Sequence, residues 1–180
     1  MGEIFWYFFV YSFFGFLLEI AFARLIHSPK PDRKCHLLLP VCPVYGLGAL
    51  AILALPNMIK ENPFLLYLSG GLAATSAEWL MAVFYEKVAG TAFWNYHDLP
   101  FNLSGRVCLW FSLFWGFLTL PLVYLIHPAI SRWVAMLPRI PALPAAALYL
   151  TDAVVSLVIL RRQGTEGLRW YRRLKPTEAR

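Results

Sequence analysis

Apolar positions along this chain come in long unbroken runs rather than in the one-sided stripe of a helix lying on a soluble core. Across residues 4–25 the only charged side chains are Glu19 and Arg24, and the run opens on the aromatic group Phe5, Trp6, Tyr7, Phe8 and Phe9. At 1.5 Å per residue such a stretch spans the ~30 Å hydrocarbon core of a bilayer, and aromatic rings favour its interface. Similar runs at residues 37–55, 63–85, 106–126 and 141–160 predict four more spans. The expected fold class is all-α, a polytopic membrane bundle of about five transmembrane helices. The second run carries Pro40, Pro43, Gly46 and Gly48. These break helical hydrogen bonding, so this span is predicted to be broken or re-entrant, a backbone tolerated at depth only against protein or water. The third run contains Ser69, Gly70, Gly71, Ala73 and Ala74, the composition of a helix that packs closely on its neighbours. The fifth is the least apolar, with an Ala-rich start and Asp152 near its middle.

Composition agrees with the pattern: 59% hydrophobic, 17% aromatic and 14% charged, against roughly 25% charged in a soluble domain. The net charge of +6 invites a nucleic-acid reading, but seven of the sixteen Lys and Arg residues follow Leu160, beyond the last apolar run. The basic residues therefore read as membrane topology, and no nucleic-acid partner is expected. One orientation groups Arg24, Lys30, Arg33, Lys34, Lys87, Arg106 and the tail, thirteen of the sixteen, against Lys60, Arg132 and Arg139. With five spans this predicts a multi-pass protein of the bacterial cell membrane with an extracytoplasmic N-terminus. Residues 1–160 would form the bundle and residues 161–180 a basic cytoplasmic tail, read as a stop-transfer anchor in preference to a surface helix. Three cysteines, an odd number, predict free thiols. Cys35, His36, Cys42 and His97 lack compact ligand spacing, so no metal site is expected.

Ionisable groups inside a membrane cost roughly 2.5–3.5 kcal/mol each, so each needs a partner, a cavity or a purpose. Glu19 shares a helical face with Ser12, Gly15 and Ala23, and Glu78 with Gly70 and Ala74, so both acids should face the bundle interior. Each lies about 22 Å into its span, which places both at one depth in the cytoplasmic half. Glu86 follows two turns beyond Glu78, and Arg106 enters the fourth span from the same side. A cluster of Glu19, Glu78, Glu86 and Arg106 is the expected centre. Tyr45 of the broken span joins it, with Trp94, Asp98 and Asn102 from the long polar loop at residues 86–105, as candidate substrate or ion ligands. Two readings stand. Arg106 neutralises a buried acid and fixes helix register, or a protonatable carboxylate in a watered cavity couples proton or cation movement to a substrate, or acts as general acid or base. Asp152 shares a stripe with Tyr149 and Ser156 and faces a neighbouring helix or another subunit.

No P-loop, nucleophile elbow, His-Glu-x-x-His or dinucleotide fingerprint appears, and no cofactor is expected. If ATP is used, the ATPase is a separate subunit. Five helices enclose little space, which leaves room for a homo-oligomer.

The ordered set Tyr11-Ser12-Phe13-Phe14-Gly15 with Glu19, Pro40-Val41-Cys42-Pro43-Val44-Tyr45-Gly46, Glu78, Glu86, Trp94-Asn95-Tyr96, Phe101-Asn102, Gly105-Arg106, Trp115-Gly116 and His127-Pro128 resembles the bacterial ABC-transporter type IV (CmpB-like) membrane proteins. The resemblance covers residues 7–128 and implies a permease-like transport protein. Asn95 stands where that family tends to carry Asp, and Lys34-Cys35-His36 replaces an Arg-Gly-rich approach. Besides transport, two other functions fit the residues. One is a membrane-embedded enzyme acting on a lipid or isoprenoid head group, with Glu78 or Glu86 as base and Arg106, Asn102 and the loop on an anionic head. The other is a non-catalytic assembly or regulatory partner.

Overall fold

The computed structural model describes residues 2–27, 34–137 and 142–169 and is 76% helical. Lys30, Arg33, Arg139 and the tail from Trp170 onward lie outside the described residues. In chain order the helices are α1 (Gly2–Leu25), α2 (Pro43–Leu53), α3 (Asn57–Lys60), α4 (Pro63–Phe84), α5 (Leu109–Pro121), α6 (His127–Met136) and α7 (Ala142–Gln163). A two-stranded hairpin, β1 (Asn102–Leu103) and β2 (Val107–Cys108), lies between α4 and α5. This is an all-α membrane bundle.

Three helical stretches combine the length and hydropathy needed to cross a bilayer: α1, the continuous Leu109–Met136 stretch, and α7. Their outer faces carry exposed Phe14, Leu17, Trp110, Phe117, Leu125, Leu148 and Val154, an apolar exterior suited to lipid rather than water. At 22 residues α4 is also long enough, yet it is not among the three. It packs between α2 and α5. A helix shielded by protein on two sides does not need lipid-grade hydropathy, and Ser69, Gly70, Gly71 and Glu78 are tolerated there. Its start follows from sequence: Asn62 Oδ1 accepts from the amides of Phe64 and Leu65 at 3.0 and 3.1 Å, and Pro63 fills the first helical position, where its missing N–H costs nothing.

The expected second span at residues 37–55 is helical only over the eleven residues of α2, about 16 Å. Residues 37–42 are non-helical, so the break falls where Pro40 and Pro43 placed it. The backbone there is satisfied by protein. Leu37 N–H donates to Ser156 Oγ at 2.7 Å, Leu38 N–H to Asp152 Oδ1 at 3.0 Å, Leu39 N–H to Asp152 Oδ2 at 2.9 Å, and Cys42 N–H to the Ser12 carbonyl at 2.9 Å. His36 Nδ1 lies 3.5 Å from the same carboxylate. Asp152 is therefore the acceptor that lets an unwound segment run beside α7, and it faces this chain rather than a second subunit. Asp152→Ala strips two amides of their acceptor. Because each unmet buried donor costs about 1–3 kcal/mol, the variant is expected to melt well below the parent in detergent, and Asp152→Asn, which keeps one carbonyl oxygen, to fall between the two. Equal melting temperatures across the three proteins would refute the assignment.

The fourth span also differs from its predicted bounds of 106–126. It starts after the hairpin, at Leu109, and runs on through Pro128 to Met136. Leu122–Ile126 forms a π turn between Pro121 and Pro128, and this wider turn relieves the hydrogen bonds two prolines remove. Arg132, which falls between the predicted fourth and fifth spans, is helical. At the other end of the bundle Thr165–Leu168 makes a 3-10 turn that buries Leu168 against Tyr85, Ala89 and Leu160, so the start of the tail is part of the packed structure.

Candidate functional site

Glycines set the distances on which the site depends. At Gly15 the α1 backbone comes so close to α2 that a Cβ there would overlap the root of the Tyr45 side chain, and at Gly70 a Cβ would overlap Thr119 of α5. Helices this close bring polar side chains within direct reach of one another.

Glu19 of α1 and Glu78 of α4 line one cavity of about 70 Å³, room for a few waters or a small ligand group. Tyr45 Oη donates to Glu19 Oε1 at 2.9 Å. Glu78, 4% exposed, accepts from Tyr96 Oη at Oε1 (3.0 Å) and from Trp115 Nε1 at Oε2 (2.9 Å). The donors are fixed in turn by ring packing: Tyr45 edge-on to Trp115 at 5.3 Å and Tyr96 stacked on Phe111 at 4.7 Å. Trp94 completes the wall. Two carboxylates thus share an aromatic enclosure, oriented by hydroxyl and indole donors.

The expected four-residue cluster divides here. Arg106 pairs with Glu86 and not with Glu78: Nη2 lies 2.6 Å from Oε2, with Nε 3.0 and 3.2 Å from the two oxygens. Hydrogen bonding to Glu86 raises the Arg106 pKa above its ordinary value and outweighs the opposing effect of desolvation, so the guanidinium stays charged. The pair does not line the acid cavity. Asn102 builds the loop. Its Nδ2 donates to the Leu99 and His97 carbonyls at 2.8 and 3.2 Å, and its Oδ1 accepts from Gly105 N–H at 3.0 Å. Ser104 and Gly105 both have positive φ, 54° and 68°, the backbone of a primed hairpin turn. That turn presents the Gly105 carbonyl to Tyr96 N–H (2.7 Å) and the Arg106 carbonyl to Trp94 Nε1 (2.8 Å), which lowers Tyr96 into the bundle. Asp98 is exposed on the loop, away from the cavity.

Of the eight sequence-derived candidates, the structure therefore brings Glu19, Tyr45, Glu78 and Trp94 together and leaves Glu86, Arg106, Asn102 and Asp98 outside. Tyr96 and Trp115, the donors to Glu78, were not among the candidates. Both stand in motifs carrying the family resemblance, but 18 and 37 residues of separation leave no local spacing that ties them to Glu78.

Among the described residues no group of three or more His, Cys, Asp and Glu side chains is placed to hold a metal. Cys35 Sγ and Cys42 Sγ lie 3.6 Å apart without a disulfide between them, while His97 sits on the polar loop against Gly105.

No curated protein and no solved structure matches the chain. Residues 6–159 match the family described as "Putative ABC-transporter type IV", which takes in both cavity acids, their three donors and Asp152. Over that extent the chain belongs to this family of ABC-transporter-associated membrane proteins.

Proposed function

We propose that the protein is a permease-like transport protein of the cell membrane, multi-pass, with its C-terminus in the cytoplasm, in which Glu19 and Glu78 bind the substrate or its coupling cation. The observation that carries this reading is the single cavity lined by both carboxylates beside the break that precedes α2. Discontinuous helices next to buried ionisable groups are the usual construction of a membrane substrate site. Any ATP hydrolysis coupled to it is the work of a separate ATPase subunit, a partner in keeping with its family.

The head-group enzyme reading is less well supported. It needs Arg106 and Asn102 for an anionic head, yet Glu86 engages Arg106 and backbone groups engage Asn102. A pure packing role accounts for Asp152 better than for the cavity, since packing gains nothing from a space between two acids. The test is uptake into proteoliposomes presented with a cytosolic and periplasmic extract, with accumulated solutes identified by mass spectrometry. The parent protein is expected to concentrate at least one solute class above empty liposomes, and Glu19→Gln and Glu78→Gln to lose that excess. Equal accumulation by parent and both variants removes the carboxylates from the function.

A further inference from the structure

The acid cavity is one end of a longer site. An apolar groove of about 640 Å³ runs from it between α1, α2 and the α5–α6 stretch, and the two share Leu18, Val44, Tyr45, Trp115 and Leu118 as lining residues. From Trp115 to Ile130 the groove follows sixteen helical residues, about 22 Å. Phe14, Leu125 and Ile126 line it and are themselves exposed, so it opens sideways on the lipid-facing exterior. Space of this shape, polar and small at one end and apolar and open at the other, fits an amphiphile that enters from the bilayer.

The acid end specifies the charge of the head. Two carboxylates repel an anionic head and attract a cationic one. Tyr45, Trp94, Tyr96 and Trp115 line the same cavity, and aromatic rings bind ammonium groups through their quadrupoles. We infer that the composite site binds a single-chain amphiphile with an amine or quaternary ammonium head, the head enclosed by Glu19, Glu78 and the aromatic walls and the chain laid along the groove toward Ile130. This rests on the reading of Glu19 and Glu78 as substrate ligands and names the ligand class.

Binding to the purified full chain in nanodiscs tests it, read by tryptophan fluorescence against empty nanodiscs. The probes are hexadecyltrimethylammonium, tetramethylammonium and hexadecyl sulfate. Hexadecyltrimethylammonium is expected to bind the parent at least about tenfold more tightly than either of the other two, a difference of ~1.4 kcal/mol. Glu19→Gln and Glu78→Gln are expected to weaken it by a similar factor. Ala129→Phe, which fills the far end of the groove without touching the acids, should weaken hexadecyltrimethylammonium and leave tetramethylammonium unchanged. Hexadecyl sulfate binding as well as the ammonium probe overturns the inference, as does hexadecyltrimethylammonium binding unaltered in both carboxylate variants. The two readings separate cleanly. Carboxylate-dependent uptake without ammonium-amphiphile binding overturns only the ligand class, whereas carboxylate-dependent binding without uptake of any solute overturns only the transport reading.

Discussion

Gly15→Ala is expected to lower the thermal stability of the detergent-solubilised protein by several degrees and to detach Tyr45 from Glu19. Gly15→Leu is expected to leave no monodisperse protein. The added Cβ would meet Tyr45 at Cβ and Cγ, the root of the side chain, so rotation of the ring cannot clear it and α2 itself must move. Overpacking of this kind costs typically about 1–3 kcal/mol for one methyl. It also acts at a tight contact of α1 with α2, the two helices that supply Glu19 and its donor. The control lies on the other face of α2, where it packs on α4. A Cβ at Gly48 would find Ala74 at 3.9 to 4.0 Å, ordinary contact, so Gly48→Ala should be neutral or slightly stabilising, alanine being the better helix former. Fluorescence-detected size exclusion and melting curves on the three variants decide the matter. If Gly15→Ala and Gly48→Ala melt together, close packing at Gly15 is not what positions Tyr45.

The contrast between those two glycines shows how far the sequence can be read. The inward faces of α1 and α4 were legible because helical periodicity is local: Ser12, Gly15 and Ala23 in register with Glu19, and Gly70 and Ala74 in register with Glu78, are buried as expected. The break before α2 was legible for the same reason, since proline acts on its own residue and its immediate neighbours. What supports the break was not. The amides of Leu38 and Leu39 find their acceptor in Asp152, more than a hundred residues away, and no spacing rule links the two. From the sequence, Asp152 therefore fitted a neighbouring helix or another subunit equally well. Arg106 stands with Glu86 outside the acid cavity for a related reason. Its position was inferred from a helix starting at residue 106, whereas the Ser104-Gly105 turn and the β2 pairing delay the helix to Leu109 and turn Arg106 toward Glu86. Composition located the acids; the loop geometry that chose their partners had to be seen.

A series at Glu78 separates what holds the site together from what the site does. Glu78→Ala leaves Tyr96 Oη and Trp115 Nε1 without their acceptor in a buried setting, at about 1–3 kcal/mol each, and is expected to be the least stable member. Glu78→Gln keeps the shape and one carbonyl oxygen. It should melt closer to the parent while losing carboxylate-dependent uptake, because charge is what it removes. The double variant Glu78→Leu with Tyr96→Phe deletes an acceptor together with one of its donors. Apolar replacement of both partners of a buried hydrogen bond is close to neutral, so it should recover part of the stability lost in Glu78→Ala and none of the uptake. A Glu78→Gln protein that still concentrates solute, or a double variant that regains uptake along with stability, would make Glu78 a packing residue. Loss of uptake that does not follow the order of melting temperatures is the signature of a carboxylate that acts on a ligand.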